Sequence, residues 1–213
     1  MNTSNSEIRM RRPDFYRYFL GIRPPPELYP AFEAFAYAAG QPVRLAMLHL
    51  TFCVIAQRAE RDRFIVRRVR RMLDGQPLHS FAVNLGTILT GPQGATARTV
   101  GRQDEVQDFY RVLIRLLRAS GIEPLYRKSG LHPHVTLGYD PRPVTRLDIG
   151  LHWFPAELLL IESEFGLTRH NVLGTWPLLP PRQPLLPFGE PFPAPHIGGR
   201  PIAATNPARR SAA

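Results

Sequence analysis

Residues 131–140 read "LHPHVTLGYD", an alternating apolar run that carries a histidine and a threonine two positions apart, just after a proline. Residues 48–55, "LHLTFCVI", set the same His-x-Thr into the same kind of run, 85 positions earlier. In a β-strand, residues i and i+2 face the same side. This places His49 beside Thr51 and His134 beside Thr136, with Leu50, Phe52, Val135 and Leu137 turned away. A buried imidazole beside a hydroxyl is costly unless it is hydrogen-bonded. Two such pairs in apolar strands make sense when both line one polar cleft.

Working outward from the pairs, apolar spacing defines the remaining elements. "YRYFLGI" (16–22) predicts a strand. After Pro24–Pro26, the set Leu28, Phe32, Phe35 and Ala36 predicts a helix ending at Gly40. The run 43–55 predicts a buried strand. From Glu60 to Leu73, Ile65, Val69, Met72 and Leu73 mark one helical face, and six arginines between Arg61 and Arg71 cover the rest. Strands at 80–89 and 95–100 flank the turn "TGPQG" (90–94). Gln103 to Ala119 predicts the clearest helix, closed by Ser120-Gly121. Strands follow at 134–139, 145–154, 156–167 and 170–178. The chain is therefore α+β, with two similar halves and no repeat of fixed period. Residues 1–14 are expected to be a flexible leader and 15–179 one domain. Residues 180–213, with nine of the 23 prolines, are expected to form an extended or disordered tail.

Composition narrows the chemistry. The formal charge of +10, carried by arginines and the single lysine Lys128, favours an anionic partner. Cys53 is the only cysteine, so neither an intrachain disulfide nor a cysteine-built zinc site is available, and a cytoplasmic protein is expected. No run approaches membrane-spanning length. No G-x-x-x-x-G-K-[ST] loop is present, so ATP-dependent ligation is disfavoured and no cofactor is expected.

Two histidines across a phosphate can divide acid and base work, because imidazole both gives and takes protons near neutrality. Threonine hydroxyls can donate to the non-bridging phosphoryl oxygens. Neither a metal nor a nucleophilic side chain is needed. His132-Pro133-His134 is a poor metal site, since Asp140 is the only nearby carboxylate; His132 is expected to bond locally or to support His134.

"HLTF" and "HVTL" resemble the paired His-x-Thr-x motifs of the 2H phosphoesterase superfamily, above all its RNA 2',3'-cyclic phosphodiesterases, also called 2'-5' RNA ligases. "RYFLGIRPP" resembles that family's first strand, and "HPHVTLGY" its second motif with the preceding proline. "LLLIESEFGLTRHNVLGTWPL" resembles its closing strand pair. The resemblance spans residues 15–179. It implies a bilobal fold, two antiparallel sheets lining a central cleft with helices outside. It also implies metal-independent hydrolysis of 2',3'-cyclic phosphate RNA ends to 2'-phosphates. By motif position, His49 becomes the proton donor and His134 the acceptor, with Thr51 and Thr136 holding the phosphate; nothing in the residues themselves separates the two roles. His170 stands where many relatives carry tyrosine, and either stacks on a base or sugar or caps a strand. Arg127, Lys128 and Arg169 are expected contacts for RNA phosphates. The partner implied is an RNA end or related nucleotide taken by a monomer. Small cyclic nucleotides, 2'-5' linked oligonucleotides and non-catalytic RNA binding are the competing readings.

Overall fold

The central strand β1 (Tyr16–Ile22) alternates between two environments. Tyr18, Leu20 and Ile22 are fully buried on one face, and Arg17 and Phe19 stand on the other. The computed structural model describes residues 12–125 and 130–182; Arg127 and Lys128, most of the leader and most of the proline-rich segment lie outside them. Around β1 the order is α1 (Tyr29–Ala38), β2 (Leu50–Arg58), α2 (Arg63–Leu73), β3 (Val83–Gly91), β4 (Gly94–Thr99), α3 (Asp104–Ala119), β5 (His134–Gly138), β6 (Arg146–Trp153), β7 (Glu157–Glu164) and β8 (Arg169–Pro177). The predicted alternation of strands and helices is present, with boundaries shifted by a few residues.

The helices bury the faces that the periodicity marks. Ile65, Val69, Met72 and Leu73 of α2 and Val106, Phe109, Leu113 and Leu117 of α3 are buried, each worth roughly 1.5–3 kcal/mol when taken fully from water. The second helix starts at Arg63 rather than Glu60. Asp62 sets the start, its carboxylate accepting from the Phe64 and Ile65 amides at 3.0 and 2.9 Å. Behind β1 and β7, buried Glu162 and Glu164 are satisfied by Tyr18, Arg61, Arg169 and Asn171.

All eight strands run antiparallel to their neighbours in the order β6-β3-β4-β5-β2-β1-β7-β8. The two sheets implied by the resemblance are thus two four-stranded halves of one sheet. Their seam is a single residue pair, Leu50 with Val135. Away from it β2 and β5 part, which leaves a cleft between the halves.

A second link crosses the seam. Gln41, buried just after α1, donates from Nε2 to the Asp140 carbonyl at 2.8 Å and accepts at Oε1 from the Asp140 amide at 3.1 Å. Gly138 permits this: a Cβ there would fall 2.2 Å from Gln41 Oε1.

The predicted strand 43–55 needs correction. Leu45–Met47 form one 3-10 turn and β2 begins at Leu50, so His49 sits in the entry to the strand rather than within it. The turn brings the Met47 carbonyl back to the His49 ring.

Candidate active site

Each histidine is fixed in the same way. His49 Nδ1 lies 2.7 Å from the Met47 carbonyl, and His134 Nδ1 lies 2.8 Å from the His132 carbonyl. A carbonyl oxygen only accepts, so Nδ1 carries the hydrogen in both rings and Nε2 is the nitrogen left for proton transfer. Backbone two residues upstream therefore sets the tautomer on both sides of the seam. His132 orients its neighbour through its main-chain carbonyl.

Both pairs open into one cleft of about 260 Å³, lined by His49, Thr51, His134 and Thr136. A second hollow of about 210 Å³ adjoins it, sharing His49, Thr136, Tyr139 and His170. Leu50 and Val135 are buried behind the motif residues as strand alternation predicts, while the equally buried Phe52 and Leu137 also border the hollows. Cys53 also borders the cleft, but burial pushes its thiol up to about 12 and leaves it unreactive.

His49 packs against two rings, Phe19 and His170, with both centroids 4.9 Å away. Burial lowers its pKa below the usual 6.5; the Met47 carbonyl opposes this, and the positive charges of Arg23 and His134 add to the lowering. His170 is pushed down to about 4 by burial first, then by His49 and Arg23. Its ring stands against Phe19 and His49 in the cleft wall.

Arg169 stands apart from the cleft lining. Its neighbour His170 faces the cleft, so alternation turns Arg169 to the other face, where it pairs with Glu164 at 3.2 Å. Residues that sequence reasoning passed over take its place. Arg17, Phe19, Gly21 and Arg23 share one side of β1 and its extension by the same two-residue alternation. Among the described residues, Arg17 Nε, Arg23 Nε and His170 Nδ1 are buried with no hydrogen-bond partner. Tyr110 and Tyr139 complete the rim. The signal for the two arginines is the odd-numbered spacing in "YRYFLGIR". Gln41 has no local signal, since its partner lies 99 positions away.

Among the described residues, no group of three or more His, Cys, Asp or Glu side chains is placed to hold a metal ion.

No protein-family model and no curated protein matches the chain. Solved structures do. Escherichia coli LigT complexed with 3'-AMP is 22% identical and superposes with a TM-score of 0.63, over 77% of this chain and 98% of that one. A phosphoesterase crystal structure is 23% identical at a TM-score of 0.62, over 76% and 98%. TT0787 of Thermus thermophilus is 19% identical at 0.62, over 76% and 97%.

The chain has the 2H phosphoesterase fold. The share of LigT and its fellows that is covered is nearly complete, so the correspondence takes in both halves and the seam. In the 2H fold of this chain, each half carries one His-x-Thr to the common cleft.

Proposed function

We propose that this protein is a phosphodiesterase that hydrolyses 2',3'-cyclic phosphate ends of RNA, leaving a 2'-phosphate. The observation that carries the reading is the pair of imidazoles in one cleft, each with Nδ1 tied to a carbonyl and Nε2 left over, each beside a threonine. Water adds across the P–O3' bond: its oxygen joins phosphorus, His134 Nε2 takes its proton, and the 3' oxygen leaves with a proton from His49 Nε2. Thr51 and Thr136 donate to the non-bridging oxygens, where charge shifts in the transition state. The fold shared with LigT, seen in complex with 3'-AMP, agrees with a nucleotide in the cleft.

The division of labour has a consequence. Burial and Arg23 keep His49 neutral near pH 7 in the free protein. The ring then takes its second proton from solvent when substrate binds, because an anionic phosphate held by the threonines favours the charged ring.

The test is to incubate the protein with RNA ending in a 2',3'-cyclic phosphate and determine which oxygen of the product bears the phosphate. A 2'-phosphate, formed equally well with EDTA present, is the expected result. Product confined to the 3' oxygen, or activity lost to chelation and restored by zinc, defeats the reading.

A further inference from the structure

Beyond the two motifs, the cleft holds a group of polar side chains that the hydrolysis does not use. Arg17 on β1 pairs in register with Ser163 on β7, which pairs in register with His170 on β8. All three line the same cleft. Among the described residues, Arg17 Nε and His170 Nδ1 are buried without a hydrogen-bond partner, and the Ser163 hydroxyl makes no hydrogen bond. Buried polar groups are seldom left this way unless something outside the protein meets them.

The charge in this group is also uncompensated. Arg17 makes no salt bridge among the described residues, whereas the carboxylates of the neighbouring strand, Glu162 and Glu164, are on the opposite face and already paired. What holds the guanidinium is aromatic. Its carbon lies 5.3 Å from the ring centroids of both Phe15 and Phe165, which stack on each other at 4.3 Å. Two rings fix a cation in place without neutralising it. Phe165 is itself exposed, so the guanidinium is anchored at the cleft's outer end.

Position separates this point from the reacting phosphate. Gly21 is the register partner of Thr51, and Arg17 lies four residues back along β1, about 13 Å at strand rise. That distance is between main chains, and the Arg17 guanidinium is held by the Phe15 and Phe165 rings at the far end of it.

We propose that Arg17, with Ser163, is a second anion subsite that binds the phosphodiester on the 5' side of the terminal nucleotide. It rests on the reading that the cleft acts on RNA ends, and it narrows the substrate class: the protein takes strands of at least two nucleotides, and a lone nucleoside cyclic phosphate is a poor substrate. Arginine suits this role, since its fork presents several donors to phosphate oxygens and never loses its proton.

The experiment compares three ligands: adenosine 2',3'-cyclic phosphate, the dinucleotide ApA ending in the same cyclic phosphate, and that dinucleotide with a neutral methylphosphonate linkage. A charge-assisted hydrogen bond predicts a kcat/KM about 10- to 100-fold higher for the charged dinucleotide than for the mononucleotide. The neutral linkage should fall back to the mononucleotide's level. Arg17→Gln should erase the discrimination between charged and neutral linkages, and Arg17→Lys should keep part of it. Equal turnover of the two dinucleotides by the unsubstituted protein overturns the proposal, whether or not the Arg17 variants fold. A preference that follows base identity rather than linkage charge overturns it too. If no ligand turns over, the phosphodiesterase reading is the one that has failed. Calorimetric binding of the dinucleotide 3'-phosphate, charged against neutral linkage, then decides the subsite: a difference of tenfold or more upholds it, equal affinity ends it.

Discussion

The two halves of the sheet carry the same device in opposite surroundings. On the β2 side, His49 is buried against Phe19 and His170, with Arg23 close enough to be felt. On the β5 side, His134 makes no ring contact among the described residues, and its register partner on β4 is the exposed Arg98, with Thr96 beside Thr136. Both rings are oriented by a carbonyl two residues upstream, so orientation does not distinguish them. Environment does. One half offers an aromatic wall that lowers a histidine's pKa, the other sets its histidine beside an exposed arginine. Similar folding of two halves has set two like-oriented imidazoles in unlike surroundings.

The harshest way to break the comparison is to remove either ring. His49→Ala and His134→Ala should each lower turnover of a cyclic phosphate end by about 10²–10⁴. The double variant should lose far less than the product of the two, as groups acting together do. Two single variants whose losses multiply would mean the halves work independently. Next comes the seam. Gly138→Ala pushes a Cβ into Gln41 and displaces the link to Asp140. A loss of roughly 10- to 100-fold in kcat is expected from the misplacement, read in steady-state assays beside a melting curve showing the protein still folds.

Smaller effects sharpen the contrast between the two environments. An imidazole NMR titration should place His49 below the usual 6.5 in the free protein, and inorganic phosphate should raise it. Arg23→Gln should raise it as well, by removing a positive neighbour. A His49 that titrates at or above 6.5 contradicts the effect of the aromatic wall. His170, at about 4, gives a stability signature. Its folded pKa lies below the unfolded value near 6.5, so the folded state binds fewer protons in between. Stability is intact above pH 6.5 and declines as pH falls toward 4. His170→Gln should flatten that decline by on the order of 1–2 kcal/mol, after allowing for partial exposure. Denaturant melts at pH 7 and pH 4.5 measure it, and parallel slopes in both proteins would contradict it.

Much of this was legible in the residues. Strand alternation places Thr51 and Thr136 against a buried back layer, and helical spacing marks the buried faces of α2 and α3, because both signals repeat within a few residues. The site's other half is less readable. Arg17 and Arg23 obey the same alternation, but nothing local says which face of β1 meets the cleft. Arg169 shows the cost of that ambiguity, since it sits next to His170 and points the other way. The entry to β2 escapes a reading by pattern because an apolar run does not reveal a single turn of 3-10 helix. The Gln41 link is set by residues 99 positions apart, a relation only folding creates.

The single Leu50–Val135 pairing has a bearing on how such a protein changes over time. On the proposed reading neither half protonates a substrate alone, so the distance between the two imidazoles is owned by no side chain; it is inherited from that one pair and the Gln41–Asp140 link beside it. Drift at either point would then cost activity while every recognisable motif stays intact.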